Sequence, residues 1–340
     1  MRLLITTQVV DTEDPVLGFF VRWIEEFAAH CERVEVICLS EGRHSLPSNV
    51  RIHSLGKERG RRSSLAYAGT FLRLLWRLRH RYDAVFVHMN PEYVVLGAPL
   101  WKLHGKRVAL WYLHRRVDIK LRVAAMLADV ILTASKESFR LTFSKVRIVG
   151  HGILVENGAR EARANDSPLR ILTAGRIADT KGLLEMLEAV DRLVMRSIPC
   201  SFRALGAPAT VRDAAYSELV DARMQAFPSG VVERAGAVPH RQISQELAHA
   251  DVFLNLSDTG SLDKAILEAL ASGVPVVTSN EAFKGLLNPY GLFVHRDDPE
   301  GIADALIRAA SIDVTPLAAW VREHHALTSL VPRIIATLSA

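Results

Sequence analysis

The strongest constraint in this chain is a repeated alternation between short aliphatic, β-branched runs and longer stretches of helical periodicity. Such a pattern calls for parallel strands joined by helical crossovers, because strands buried on both faces read as near-continuous apolar runs. In the first half the expected strands are Leu3–Thr7, Val34–Leu39, Val50–Ser54, Ala84–His88, Arg107–Leu113, Val130–Thr133 and Val146–Val149. Between them the spacing predicts helices over Phe19–His30, Leu65–Arg81 and Ala98–Leu103. Residues 156–168 are polar, lack buried periodicity and read as a linker. The alternation then restarts with strands Leu169–Ala174, Ser201–Leu205, Val231–Ala235, Val252–Leu256, Val274–Thr278 and Leu292–Val294. Helices are expected over Gly182–Met195, Asp213–Ala226, Arg241–Ala248 and Ser261–Ala271. Asp298-Pro299-Glu300 opens another, with a capping Asp and Pro at the first helical position. The stretch Pro316–Leu338 is expected to be helical with an interruption near Pro332.

A chain of 340 residues exceeds one hydrophobic core and suits two. The predicted class is α/β, with two Rossmann-like doubly wound domains, residues 1–160 and 161–315, facing across a cleft. Open parallel sheets bind ligands beyond the carboxyl ends of their strands, so two facing sheets suit a two-part substrate. Apolar residues at 49% and charged residues at 23% exclude a disordered chain. No apolar run approaches the length of a membrane span. The opening Met-Arg-Leu-Leu-Ile-Thr reads as a buried strand rather than a secretory signal, which predicts a cytoplasmic protein. Cys31, Cys38 and Cys200 have no metal-ligand spacing and read as reduced thiols. Residues 1–160 hold 25 Lys and Arg against 15 Asp and Glu, a net of +10, and the remainder carries −5. A basic half suits phosphate-bearing ligands, an anionic leaflet or nucleic acid.

Two segments of the second half carry chemistry. Strand 169–174 runs into Gly175-Arg176-Ile177-Ala178-Asp179-Thr180-Lys181-Gly182 and then a helix. Gly175 permits a tight exit, Arg176 offers a planar fork to phosphate oxygens, and Lys181 adds a point charge on the same loop. A solvated loop eased by Gly182 fits the same residues. The second segment, Ser257-Asp258-Thr259-Gly260-Ser261-Leu262-Asp263-Lys264-Ala265-Ile266-Leu267-Glu268, passes from strand through a small-residue turn into a helix. Backbone donors at Gly260–Asp263 would form an anion site at the helix start. Lys264 and Glu268 share a helical face, where Lys264 can assist a phosphate and Glu268 can accept two ribose hydroxyls. An ordinary ion pair between them is the competing reading.

Gly-Arg-x-x-x-x-Lys-Gly followed by Leu-Glu-Ala-Leu-Ala-Ser-Gly-Val-Pro-Val-Val-Thr resembles the family 4 retaining glycosyltransferases of GT-B fold. The resemblance runs from Met1 to about Ala310 and is clearest over 169–300. It implies that Arg176 and Lys181 hold the donor diphosphate, that Glu268 holds the ribose, and that backbone at Val238–His240 meets the base. It also implies that helices in 316–340 cross back to the first domain, and that a nucleoside-diphosphate sugar is the donor with no obligate metal or cofactor. The expected donor set is Gly18, Gly175, Arg176, Lys181, Val238, His240, Thr259, Gly260, Ser261, Leu262, Asp263, Lys264 and Glu268. The family usually carries two glutamates separated by seven residues, but the position matching the first, with seven residues between it and Glu268, is Gly260. Asp263 either supplies the missing carboxylate or caps and pairs locally.

In the first half, Gly18 lies on the loop Asp14–Phe20, which in the resembling enzymes reaches the cleft. The family commonly places a histidine where His114 ends a central strand, so His114, with Arg176 and Lys181, is assigned to catalysis; a solvent-facing histidine is the alternative. His88, Asn90, Glu92 and Lys120 are candidates for a glycan or lipid-linked acceptor. No nucleophilic carboxylate is evident, and the resemblance implies a front-face mechanism in which a diphosphate oxygen takes the acceptor proton. The basic segment Phe71–Arg81, preceded by Arg61-Arg62, reads either as a packed helix with a solvated face or as a peripheral dock on an anionic membrane. A non-catalytic nucleotide-sugar-binding module and a nucleotide-sugar epimerase are the competing functions. Nucleic-acid reading motifs and a Walker loop are absent.

Overall fold

Seven strands build the first sheet: β1 (Arg2–Val10), β2 (Arg33–Glu41), β3 (Val50–Ser54), β4 (Ala84–His88), β5 (Arg107–Trp111), β6 (Val130–Thr133) and β7 (Val146–Ile148). They run in the order β3-β2-β1-β4-β5-β6-β7 with every neighbour parallel. The computed structural model describes all residues except 15, 115, 116, 137, 156–166, 240, 241, 259 and 340. Most of the linker expected at 156–168 therefore lies outside the described residues, as do His240, Thr259 and the expected helix start at Arg241. Helices α1 (Phe20–His30), α2 (Ser64–Leu78), α3 (Pro91–Leu103) and α4 (Ile119–Leu127) cover this sheet.

The period-two rule assigns the faces. Leu4, Val85, Val87 and Leu110 belong to one buried cluster with Phe71 and Leu75 of α2, Trp101 of α3 and Leu121 of α4. Phe86 and Trp111, one residue out of phase, meet Trp23 and Phe27 of α1. Each large side chain buried here contributes about 1.5–3 kcal/mol from its removal from water.

The second sheet holds β8 (Leu169–Ala174), β9 (Cys200–Leu205), β10 (Val232–Gly236), β11 (Val252–Asn255) and β12 (Val276–Thr278), ordered β10-β9-β8-β11-β12 and parallel throughout. The helices after it are α5 (Leu183–Met195), α6 (Val211–Met224), α7 (Ile243–Ala248), α8 (Lys264–Ala271), α9 (Lys284–Leu287), α10 (Pro299–Ala309), α11 (Thr315–His325) and α12 (Leu327–Ser339). In each sheet the order reverses once, between β1 and β4 and between β8 and β11. Both sheets are thus doubly wound, with a switch point at the carboxyl end.

Met1–Gly152 together with the chain from His324 onward forms one unit, and Ile153–Glu323 forms the other. Helix α11 stays largely with the second unit, whereas α12 packs on α1 in the first. The break between these helices falls at Ala326 rather than near Pro332, which sits inside α12. Tertiary hydrogen bonds set it: the His325 carbonyl accepts from the Gly152 N–H at 3.0 Å, and His325 Nδ1 from the His151 N–H at 3.2 Å. Leu292–Val294, expected as a strand, contributes only an isolated bridge between Phe293 and Thr278.

Candidate active site

The carboxyl edge of the second sheet is lined by backbone. Gly175 after β8, Gly206 after β9 and Gly236 at the end of β10 have φ of 155°, 139° and 73°. The Gly175 N–H donates to the Leu205 carbonyl at 3.0 Å and the Gly206 N–H to Gly236 at 2.7 Å. A Cβ on Gly206 would overlap the Gly175 carbonyl oxygen, so glycine is a packing requirement there. The bare edge leaves room for a ligand to approach main chain.

Two loops meet above this edge. The loop from Gly175 ends in a short turn, Asp179–Lys181, and Gly182 enters α5 at φ 73°. A side chain at Gly182 would press on Leu256 just beyond β11. The Asp258 N–H donates to the Thr180 carbonyl at 3.2 Å, joining this loop to the one after β11. Arg296 fastens both, donating to Glu185 at 2.7 Å, the Asp179 carbonyl at 2.7 Å and Asp258 at 3.4 Å.

This joint delivers Lys181 Nζ to Asp263 Oδ2 at 2.6 Å, with side-chain exposures of 21% and 12%. Asp263 is the N-cap of α8, its other oxygen accepting the Ala265 N–H at 3.2 Å. Asn255, at the end of β11, donates to Asp263 Oδ2 at 3.3 Å. Both carboxylate oxygens of Asp263 are therefore engaged by local groups. Helix α8 begins at Lys264, later than the expected Ser261, because Asp263 holds extended geometry and caps it. Gly260 is buried at φ 59°, and the Ser261 carbonyl accepts from Asn280 at 2.9 Å. One turn into α8, Glu268 is 8% exposed and its Oε1 lies 3.7 Å from Lys264 Nζ. Burial pulls the Lys264 ammonium below its ordinary pKa, with Glu268 opposing. Arg176 stays half-exposed, its Nε 3.7 Å from Asp213, which closes a capping box with Thr210 on α6. Gly175, Arg176, Lys181 and Asn255 line one small pocket. Val238 follows β10 on the same edge, and Leu262 is half-buried beside Asp263.

The candidates in the first unit are less uniform. Gly18 donates to the Asp14 carbonyl at 3.0 Å, and a Cβ there would lie 2.6 Å from that oxygen and 2.9 Å from the Thr12 carbonyl. His114 follows β5 and is exposed, its ring edge-on to Tyr112 at 5.8 Å. Asn90 is the residue before α3, and Glu92 in its first turn pairs with Lys120 of α4 at 2.9 Å. His88 is 3% exposed, stacked on Phe20 with centroids 3.9 Å apart, and its Nδ1 is 3.2 Å from the Thr7 hydroxyl. Burial pushes its pKa down to about 3, so the ring is neutral at physiological pH. Among the described residues, no three His, Cys, Asp or Glu side chains gather where they could hold a metal ion.

Sequence reasoning did not single out Asn255 or Arg296. Asn255 was visible in principle, as the one polar residue closing the apolar run Val252-Phe253-Leu254. Arg296 had no local signal, since its partners lie 111 and 38 residues away.

Residues 168–311 match the family model described as Glycosyl transferases group 1. WcaL of Escherichia coli (strain K12), named for colanic acid biosynthesis, is 26% identical over 241 residues, covering 66% of this chain and 57% of that protein. The amylovoran biosynthesis glycosyltransferase AmsK of Erwinia amylovora is 28% identical over 194 residues, 52% of this chain and 46% of that one. The chain thus spans about half the length of the curated relatives it matches. Among solved structures, Anabaena HepE in complex with UDP aligns over 100% of both chains with a TM-score of 0.76 at 15% identity. HepE in complex with UDP-glucose gives 0.72 at 16%. These likenesses show the fold: two Rossmann-like α/β domains of the GT-B type.

Proposed function

We propose that the chain is a retaining glycosyltransferase that moves a sugar from a nucleoside-diphosphate donor to a glycan or lipid-linked acceptor. The observation that carries this reading is the convergence of Lys181, the Asp263-capped start of α8, and buried Glu268 at one sheet edge. In this reading Arg176 and Lys181 take the diphosphate oxygens, and Glu268 accepts from the ribose hydroxyls. Val238 and its neighbours offer backbone to the base. His114 orients the sugar or its reacting hydroxyl, and Gly18 lets main chain approach the phosphate.

The bond between the anomeric carbon and diphosphate oxygen breaks while the acceptor oxygen bonds to that carbon on the same face. The departing diphosphate oxygen takes the acceptor proton. Cationic groups fixed before the reaction stabilise the charge that develops on that leaving group. In this reading the nucleotide sugar is a substrate, and Arg176 and Lys181 supply the positive charge at its diphosphate. The Lys181 ammonium has three donors, so it can turn to a phosphate oxygen from its place beside Asp263.

Isothermal calorimetry with UDP and UDP-glucose, beside guanosine, adenosine and thymidine counterparts, tests the reading. Lys181→Ala should weaken the preferred diphosphate about 10- to 100-fold, the worth of a charge-assisted hydrogen bond. Glu268→Ala should cost about tenfold through the ribose. Unchanged binding in both variants refutes the site. Tight binding without turnover on a broad acceptor panel would instead support a nucleotide-sugar-binding module, the reading that Gly260 favours.

A further inference from the structure

Helix α2 is apolar on two sides. Phe71, Leu75 and Leu78 fill the core, while Leu65, Leu72 and Trp76 stand outward at 85%, 36% and 52% exposure. The outward residues, with Gly69, recur at helical spacing and form one stripe along about 16 Å of helix. Arg73 and Arg77 flank the stripe, and His80 and Arg81 extend it. The last turn of α3 adjoins its end: the His104 ring lies 6.0 Å from Trp76 and 6.1 Å from His80. That contact brings in Lys102 and Leu103, the latter 76% exposed.

The charge of this surface is predominantly positive. Residues 59–82 contain seven arginines and no Asp or Glu, and residues 93–117 contain no carboxylate either. Asp129, the nearby acid beside Lys102 and Lys106, accepts from the Val108 N–H at 2.7 Å. The apolar side chains stand exposed along the outward side of one helix, which suits insertion between lipid headgroups. One face of the Trp76 ring is already taken by the Arg79 guanidinium at 4.2 Å, which a stacking nucleobase would have to displace there. A tryptophan beside arginines and leucines is the composition of a membrane interface.

We infer that the outward stripe of α2, with the end of α3, docks on an anionic lipid bilayer through Arg73, Arg77 and Lys102 while Leu72, Trp76 and Leu103 enter the headgroup layer. The inference stands on this surface alone and does not depend on the reaction at the other unit. It predicts partition onto vesicles containing about one-third phosphatidylglycerol, and little onto pure phosphatidylcholine.

The test is cosedimentation of the full chain with those two vesicles. Arg73→Ala with Arg77→Ala should lower partition roughly thirty-fold, about fivefold for each basic side chain near an anionic surface. Arg140→Ala with Arg212→Ala removes the same charge from exposed positions elsewhere and should change it little. Tryptophan emission should shift to the blue on adding anionic vesicles, and the shift should vanish in Trp76→Phe at lipid concentrations that still hold that variant on the vesicle. Circular dichroism checks that each variant is folded. Equal losses in the two arginine pairs would overturn the inference, because generic charge would then explain binding. Equal binding to neutral vesicles, or tighter binding to single-stranded RNA than to anionic vesicles, would also overturn it.

Discussion

Replacing His88 with phenylalanine should change how stability depends on pH, in a way that its surroundings allow to be calculated. In the folded chain burial holds the imidazole pKa down at about 3. In the unfolded chain it returns to about 6.5. Between those values the unfolded state binds a proton that the folded state refuses, so stability rises with pH. The contribution is complete above about pH 6.5 and falls by about 1.4 kcal/mol per pH unit below it. At pH 5 the loss is about 2 kcal/mol. Phenylalanine fits the stack with Phe20 but leaves the buried Thr7 hydroxyl without its ring partner, at about 1 kcal/mol. The variant should thus be less stable than the parent at pH 7.5 and more stable at pH 5, with the curves crossing near about pH 6. Urea unfolding followed by tryptophan emission is the assay, since Trp23, Trp76, Trp101 and Trp111 all belong to the first unit. His325, pushed to about 4, contributes equally to both proteins and cancels in the difference. Parallel curves would refute the reasoning, and would return His88 to the set of groups able to carry a proton in the site.

Two further outcomes follow from local packing. Gly206→Ala should destabilise the second unit by about 2 kcal/mol or more, because a Cβ there meets the Gly175 carbonyl and φ is 139°; an unchanged melting temperature would contradict this. The three cysteines should react slowly with a thiol reagent at pH 8, and promptly once the chain is unfolded in urea. Burial raises Cys31 to about 11 and Cys38 to about 12 and also raises Cys200, so little thiolate is present. Rapid labelling of the native protein would refute that.

Much of the fold was legible because parallel strands buried on both faces leave unmistakable apolar runs. All seven strands of the first sheet and all five of the second fall where those runs lie, their ends shifted by at most three residues. Helix α3 was seen only from Ala98, although it begins at Pro91. Its sequence is apolar almost all round, which erases periodicity, and Pro99 lies in its interior. Helix α4 is short, with an interleaved Ile-Lys-Leu-Arg-Val pattern that does not distinguish helix from strand. Pro332 misplaced the expected break because the hydrogen bonds of His325 to residues 151 and 152 are invisible locally. At the site, Lys181, Lys264 and Glu268 could be picked out by spacing. The contact of Lys181 with Asp263 joins residues 82 apart, and no periodicity encodes it. His88 shows the opposite limit, since a histidine ending a strand looks the same in sequence whether it faces ligand or is sandwiched by Phe20.

The first unit is discontinuous, leaving off at Gly152 and resuming at His324. During synthesis, residues 153–323 form a contiguous module able to complete its sheet as it leaves the ribosome. The partner of α1 is made only afterwards. At common elongation rates of about 5–20 residues per second, the surface of α1 that receives α12 waits roughly 15–60 s for its cover. Over that interval the earlier-made half is the later to finish, and a chaperone that shields apolar helix surfaces has its longest opportunity at α1. The order of completion therefore runs opposite to the order of translation.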